Sequence, residues 1–216
     1  MPNKQFTLED QLMLQDIMQH RRDVRGNNFT QQAVADSVID QLIQVAALAP
    51  SVGFSQPWEF VVIRDDKTKQ QVADCFADEN AKAQTLFSNE KQKQYAALKL
   101  EGIKEAPVNI AVFYKPSDEP VLGQNSMIEM GEYSVVCAVQ NMWLMSRTLN
   151  IGLGWVSILN PDTVKNILNA PSEHKLVAYL CIGYVEQFLD KPELETLKWA
   201  ERKPTQSLVH HNGFKA

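Results

Sequence analysis

Residues 130–149 limit what this chain can fold into. Tyr133, Val135, Val136, Cys137, Val139, Met142, Trp143, Leu144 and Met145 leave almost no polar face on a segment that reads as a helix. A helix that is apolar all round belongs inside a core. In a chain of 216 residues, burial on every side calls for flanking elements and often for a second subunit. The length suits one domain, residues 1–216, with a sizeable core. An extended C-terminal tail runs from Gln187. It holds Pro192 and Pro204, shows little periodicity, and is expected to lie across a surface, a partner's included.

The other elements follow from periodicity and punctuation. Thr7-Leu8-Glu9-Asp10 resembles a capping start, and Leu8, Leu12, Met13 and Ile17 recur at helical spacing, so a helix is expected to about His20. A second helix is expected over residues 31–48, with Val34, Val38, Leu42 and Val45 on one face and Pro50 as its stop. Strands are expected over residues 59–64, 108–114, 152–158 and 176–184, where β-branched and aromatic residues cluster. Residues 67–100 are polar and helix-favouring, with a mobile excursion expected over residues 78–93. Helices that precede and separate strands give an α+β or α/β layered domain.

Composition narrows the function classes. The formal charge of −5 gives no electrostatic reason to expect nucleic acid or an anionic membrane surface as a partner. No apolar run reaches membrane-spanning length, and the first residues do not read as a secretory signal. Cys75, Cys137 and Cys181 are scattered and lack C-x-x-C spacing, which argues against a disulfide framework and a zinc site. Cys137 and Cys181 sit among apolar residues and are expected as core thiols. His174, His210 and His211 show no metal spacing. The simplest setting is a reduced cytoplasm with no metal.

Two stretches carry chemistry. In Arg21-Arg22-Asp23-Val24-Arg25, guanidinium forks suit a phosphate. A carboxylate among them is not needed to hold an anion and suggests chemistry on the ligand. Taken alone, the cluster is equally a solvated helix end. The second stretch is Ala49-Pro50-Ser51-Val52-Gly53-Phe54-Ser55-Gln56-Pro57-Trp58. A helix stop followed by a turn exposes backbone N–H groups and the Ser51 hydroxyl, and Gln56 offers an amide to a heteroaromatic edge. By itself it reads first as a plain connection.

Together with Lys99-Leu100-Glu101-Gly102-Ile103, the run from Tyr133 to Leu144, and Gly152-Leu153-Gly154-Trp155-Val156-Ser157-Ile158, these blocks resemble the nitroreductase-like flavoprotein family. Within it they look like the BluB branch of 5,6-dimethylbenzimidazole synthases. The general family usually has serine where this chain has Asp23. The resemblance implies an α+β fold with a central, mostly antiparallel sheet flanked by helices. It also implies a homodimer with the buried apolar helix at its interface and flavin sites between subunits. In this branch reduced FMN is the substrate: O2 fragments the isoalloxazine, giving 5,6-dimethylbenzimidazole and erythrose 4-phosphate for the lower ligand of vitamin B12. A separate flavin reductase would supply the reduced FMN.

Residue by residue, the resemblance puts Arg21, Arg22, Asp23, Val24 and Arg25 in the FMN-binding segment, and Ser51, Gly53 and Gln56 in a loop facing the ring. Leu98 and Leu100 lie near the ligand, with residues 78–100 a possible lid. Asp23 and Ser157 are the expected catalytic residues, Asp23 as acid or base and Ser157 as an orienting hydroxyl. Nearby arginines and burial push the Asp23 carboxyl in opposite directions. The alternatives are a conventional NAD(P)H-dependent nitroreductase or cob(II)yrinic acid a,c-diamide reductase that retains FMN, and a flavin-binding protein without turnover. Asp23 and Ser157 favour the synthase.

Overall fold

Thr7 opens the first helix as the sequence suggests. In this computed structural model, which describes residues 3–214, the Thr7 hydroxyl accepts from the Asp10 N–H at 3.2 Å and Asp10 Oδ2 accepts from the Thr7 N–H at 2.8 Å. This capping box starts α1 (Leu8–His20). The remaining helices are α2 (Asp36–Ala46), α3 (Asp66–Gln84), α4 (Asn89–Ala96), α5 (Met130–Thr148), α6 (Pro161–Ile167) and α7 (Glu193–Thr196). The strands are β1 (Trp58–Ile63), β2 (Val108–Tyr114), β3 (Ile151–Val156) and β4 (Lys175–Tyr184). They form one sheet in the order β1-β2-β4-β3, and all three pairings are antiparallel.

Both faces of the sheet are covered, which is why β2 is apolar at every position but Asn109. Val108, Ile110 and Val112 pack towards α2 and α5, in a core with Leu42, Ala46, Val135, Val139 and Met142. Ala111 and Phe113 point the other way, into a core with Val72 and Cys75 of α3 and Val164 of α6. Asn109 on that second face is kept in place by hydrogen bonds from its Nδ2 to Ile103 O at 2.9 Å and to the Tyr179 hydroxyl at 3.0 Å. Among the described residues no helix is long and apolar enough to cross a membrane.

Several expectations change. The second helix starts at Asp36, not near residue 31, because the preceding residues are tied to the end of β4: Phe29 bridges Val185 and the Thr30 N–H donates to Tyr184 O at 2.8 Å. The polar stretch after β1 forms α3 and α4, including most of residues 78–93. Its polarity reflects one-sided packing, since α3 buries Lys69, Val72 and Cys75 and α4 buries Tyr95. Cys137 is exposed on α5, not a core thiol, whereas Cys181 is buried.

In the single chain α5 buries one stripe, Ser134, Val135, Ala138, Val139, Met142 and Ser146. Its other face leaves Tyr133 51% and Val136 39% exposed. α1 buries no residue at all, and Leu12 is 55% exposed. The apolar surplus in the sequence thus remains on the outside of one protomer.

Candidate active site

After α1 the chain runs extended beside β3. Asp23 forms a parallel bridge with Leu153, and the Val24 N–H donates to Leu153 O at 3.1 Å. Val24 is buried, which turns its neighbours Asp23 and Arg25 outwards. The approach depends on Gly154: a Cβ there would sit 2.1 Å from Val24 O. A side chain at 154 would therefore push the Asp23 segment off the sheet. The glycines of Gly152-Leu153-Gly154 serve this packing.

Asp23 is held at both oxygens. Oδ1 accepts from the Trp155 N–H at 3.0 Å, and Oδ2 pairs with the Arg25 guanidinium. Burial pushes the Asp23 carboxyl above its ordinary value, against the lowering by Arg25, the Trp155 N–H and Arg21. Its side chain is still 31% exposed in the single chain, so the shielding is that of a recess wall, open on one side. Raised but accessible, the group suits proton transfer.

The arginines divide their work. Arg25 Nη1 donates to Leu100 O at 2.9 Å, which brings Leu100, though not Leu98, to the cluster. Arg21 lies over the Trp143 ring at 4.6 Å. Arg22 is committed to carbonyls: Nε donates to Leu189 O at 2.9 Å, Nη1 to Gln19 O and Arg21 O at 2.7 Å each, and Nη2 to Asp190 O. In this arrangement Arg22 clamps the C-terminal tail. The tail therefore crosses its own chain's arginine cluster.

Two hollows result. A recess of about 130 Å³ is lined by Arg21, Arg22, Asp23 and Arg25 and roofed by Pro192, Glu193 and Leu194. Beside it, a cleft of about 540 Å³ is lined by Arg21, Arg22, Lys191 and Arg202, with Asp190 and Glu195. Burial lowers the Arg21 pKa, Asp23 opposes this, and Arg22 and Arg202 lower it further. Like charges crowded in this way call for an anion. Guanidinium forks beside a lysine fit a phosphate, so the residues present fit the FMN that the sequence implies.

Ser157 is exposed one residue beyond the end of β3, two residues on from Trp155. It therefore shares the Asp23 end of the sheet. Ser51, Gly53 and Gln56 lie elsewhere. They precede β1, at the opposite edge of the sheet from β3. Three interstrand steps of about 4.8 Å put the two edges on the order of 14 Å apart, and the Asp23 segment lies one step further out. The loop is built for a fixed shape: Gly53, Phe54 and Gln56 all have positive φ, and the Ser51 hydroxyl accepts from the Gln56 N–H at 3.0 Å. It borders its own cleft of about 690 Å³ with Trp58, Tyr114 and Leu122. One chain does not bring the two signature stretches together.

Sequence reasoning missed Trp155 as a donor, Gly154 as a spacer, and Glu193, Lys191 and Arg202 in the tail. The Gly-x-Gly pattern after a helix could have flagged the close approach; nothing local marks the tail residues. Among the described residues no group of three or more His, Cys, Asp and Glu is placed to hold a metal ion.

Residues 18–184 match the profile of the nitroreductase family. The chain belongs to the nitroreductase family. Among its relatives in that family, it is 44% identical to a 5,6-dimethylbenzimidazole synthase of Rhodospirillum rubrum, over 88% of this chain and 90% of that protein. It is 37% identical to a 5,6-dimethylbenzimidazole synthase of Rhodobacter capsulatus, over 89% and 93%. The nitroreductase-like fold, α+β with an antiparallel sheet flanked by helices, recurs in solved structures. Oxidised iodotyrosine deiodinase bound to FMN and 3-iodo-L-tyrosine superposes with a TM-score of 0.73 at 24% identity, covering 94% of this chain and 100% of that one. A BluB-like flavoprotein from Clostridium difficile 630 gives 0.70 at 24% identity, covering 93% and 99%.

Proposed function

We propose that this chain is a 5,6-dimethylbenzimidazole synthase. The observation that carries the reading is the 44% identity to a synthase over 88% of the chain, with Asp23 standing at the recess where the nitroreductase-like family usually has serine. Reduced FMN is the substrate, and with O2 it yields 5,6-dimethylbenzimidazole and erythrose 4-phosphate. Such a step contributes the lower ligand of cobalamin, and a separate flavin reductase supplies the reduced flavin. The three cysteines, all free thiols, fit a cytoplasmic enzyme.

The residues of the chain have distinct tasks in this reading. Arg21, with Lys191 and Arg202, holds the phosphate in the larger cleft. Arg25 and the Trp155 N–H hold Asp23 so that one carboxylate faces the ring and moves protons at its edge. Burial raises the Asp23 carboxyl, which favours its taking up a proton. Ser157, at the end of β3, donates or accepts a hydrogen bond beside the same edge. Ser51, Gly53 and Gln56 belong to the second subunit of a homodimer and close over the ring from the far side. Support for the dimer comes from the distance between the two stretches within one chain and from the exposed apolar faces of α1 and α5. Together the subunits exclude water from the ring.

Asp23→Asn and Ser157→Ala test the roles. Both are expected to hold FMN within about 1–3 kcal/mol of the wild type and to lose most benzimidazole formation, read by chromatography of oxygen-treated, flavin-reduced protein. Wild-type yields in both variants would remove the assignment.

A further inference from the structure

The tail that roofs the Asp23 recess carries a carboxylate of its own. Pro192, Glu193 and Leu194 close the hollow opposite Arg21, Asp23 and Arg25. Two anchors fix this stretch of tail. Upstream, Arg22 grips the carbonyls of Leu189 and Asp190. Downstream, Trp199 is held on α4 and the residues before it: Lys91 Nζ lies 3.6 Å from its ring centre, Phe87 meets it edge-on at 5.3 Å and Tyr95 at 6.1 Å. Lys91 Nζ also donates to Trp199 O at 3.1 Å, and the Trp199 N–H closes back on Leu194 O at 2.8 Å. Glu193 lies between these anchors and is half-buried, so its place over the recess is set by the fold.

The geometry points to Glu193 as a second catalytic carboxylate, sharing the proton handling of the recess with Asp23. The inference rests on the synthase reading and deepens it. Both Asp23 oxygens already have partners that favour the charged form, the Trp155 N–H and Arg25. Burial raises the Glu193 carboxyl, Arg25 lowers it, and the charge on Asp23 raises it further. Two carboxylates across a small hollow do not ionise together cheaply. Arg25 pairs directly with Asp23, so in this scheme the charge stays on Asp23 and the proton on Glu193. The other charges facing the recess are Arg21 and Arg22; Asp190, Lys191, Glu195 and Arg202 stand in the adjoining cleft.

The proton count closes. Asp23 takes one proton from the bound substrate, forming its O–H as the substrate bond to that hydrogen breaks. Glu193 gives one proton to a substrate heteroatom and becomes a carboxylate. The proton on Asp23 then passes across the recess to Glu193, which restores both groups without an outside acid, oxidant or reductant.

Three proteins test this: wild type, Glu193→Gln and Glu193→Asp. For each, anaerobic binding of reduced FMN and the rate of 5,6-dimethylbenzimidazole formation on adding oxygen are measured across pH. In the wild type, the rate should fall at low pH as Asp23 is protonated and at high pH as Glu193 loses its proton. Glu193→Gln should bind reduced FMN within about threefold of wild type, lose about a hundredfold in rate, and show no high-pH fall. Glu193→Asp should recover part of the rate and regain the high-pH limb. A Gln variant with the wild-type rate and profile overturns the proposal. So does one whose loss lies only in binding, since that would make Glu193 a piece of the tail's packing. A wild type that makes no benzimidazole at all instead brings down the synthase reading beneath it.

Discussion

At the residue scale, the role proposed for Asp23 works against stability. Its carboxyl is raised in the folded chain, chiefly by burial. A raised carboxyl favours the fold below its ordinary pKa, and that advantage is lost as pH rises through the folded value. At neutral pH the charged form is therefore a burden on the fold, as expected of an active-site group. Asp23→Asn should raise the melting temperature at pH 7.5, and the gain should shrink towards pH 4. Thermal unfolding at the two pH values decides it; a variant that melts lower at pH 7.5 than wild type would mean the Arg25 pair outweighs burial. Asp23 could be singled out in the sequence because a carboxylate among arginines is chemically odd. Arg22 as a clamp could not, because its partners Leu189 and Asp190 are more than 160 residues away in the chain.

At the scale of elements, the strands were legible wherever apolar runs were continuous. β2 and β4 lie within about a residue of their expected limits because both their faces are largely buried, and β1 is as close because it pairs with β2 along its whole length. The start of α2 was not legible, since the pull of β4 on Phe29 and Thr30 is a tertiary effect that overrides helical periodicity. The polar α3–α4 stretch hid its most consequential contact, the seat of Trp199 against Phe87, Lys91 and Tyr95. Through that seat, the segment expected to act as a lid and the tail that roofs the recess are one mechanical unit. Reduced FMN should slow amide exchange over residues 78–100 and 189–199 together, and Trp199→Ala should speed both. Exchange mass spectrometry reads each segment separately; protection that changes in one and not the other would break the link.

At the scale of the whole molecule, the site proposed above would be divided between opposite sheet edges and so would need a second copy. The surplus of apolar residues in α5 was visible in the sequence, and the structure locates it as an outward face carrying Tyr133 and Val136 beside an α1 with no buried residue. Which residues two copies would bring together follows only from strand order: β1 and β3 are neighbours in neither sequence nor sheet. If the proposed dimer buries this face, Val136→Glu should convert it to monomers and weaken FMN binding by about tenfold or more, since a charge buried in an apolar interface is costly. Light scattering and flavin titration on the same sample check it. A monomeric wild type, or a monomeric variant that binds FMN as well as the wild type, would contradict a shared site.

The most direct measurement is a single turnover. Protein loaded with one equivalent of reduced, isotopically labelled FMN is mixed with oxygen, and the quenched mixture is resolved by mass. Labelled 5,6-dimethylbenzimidazole should appear as flavin disappears, with erythrose 4-phosphate beside it, in wild type and not in Asp23→Asn. Quantitative recovery of oxidised FMN from the wild type would contradict it.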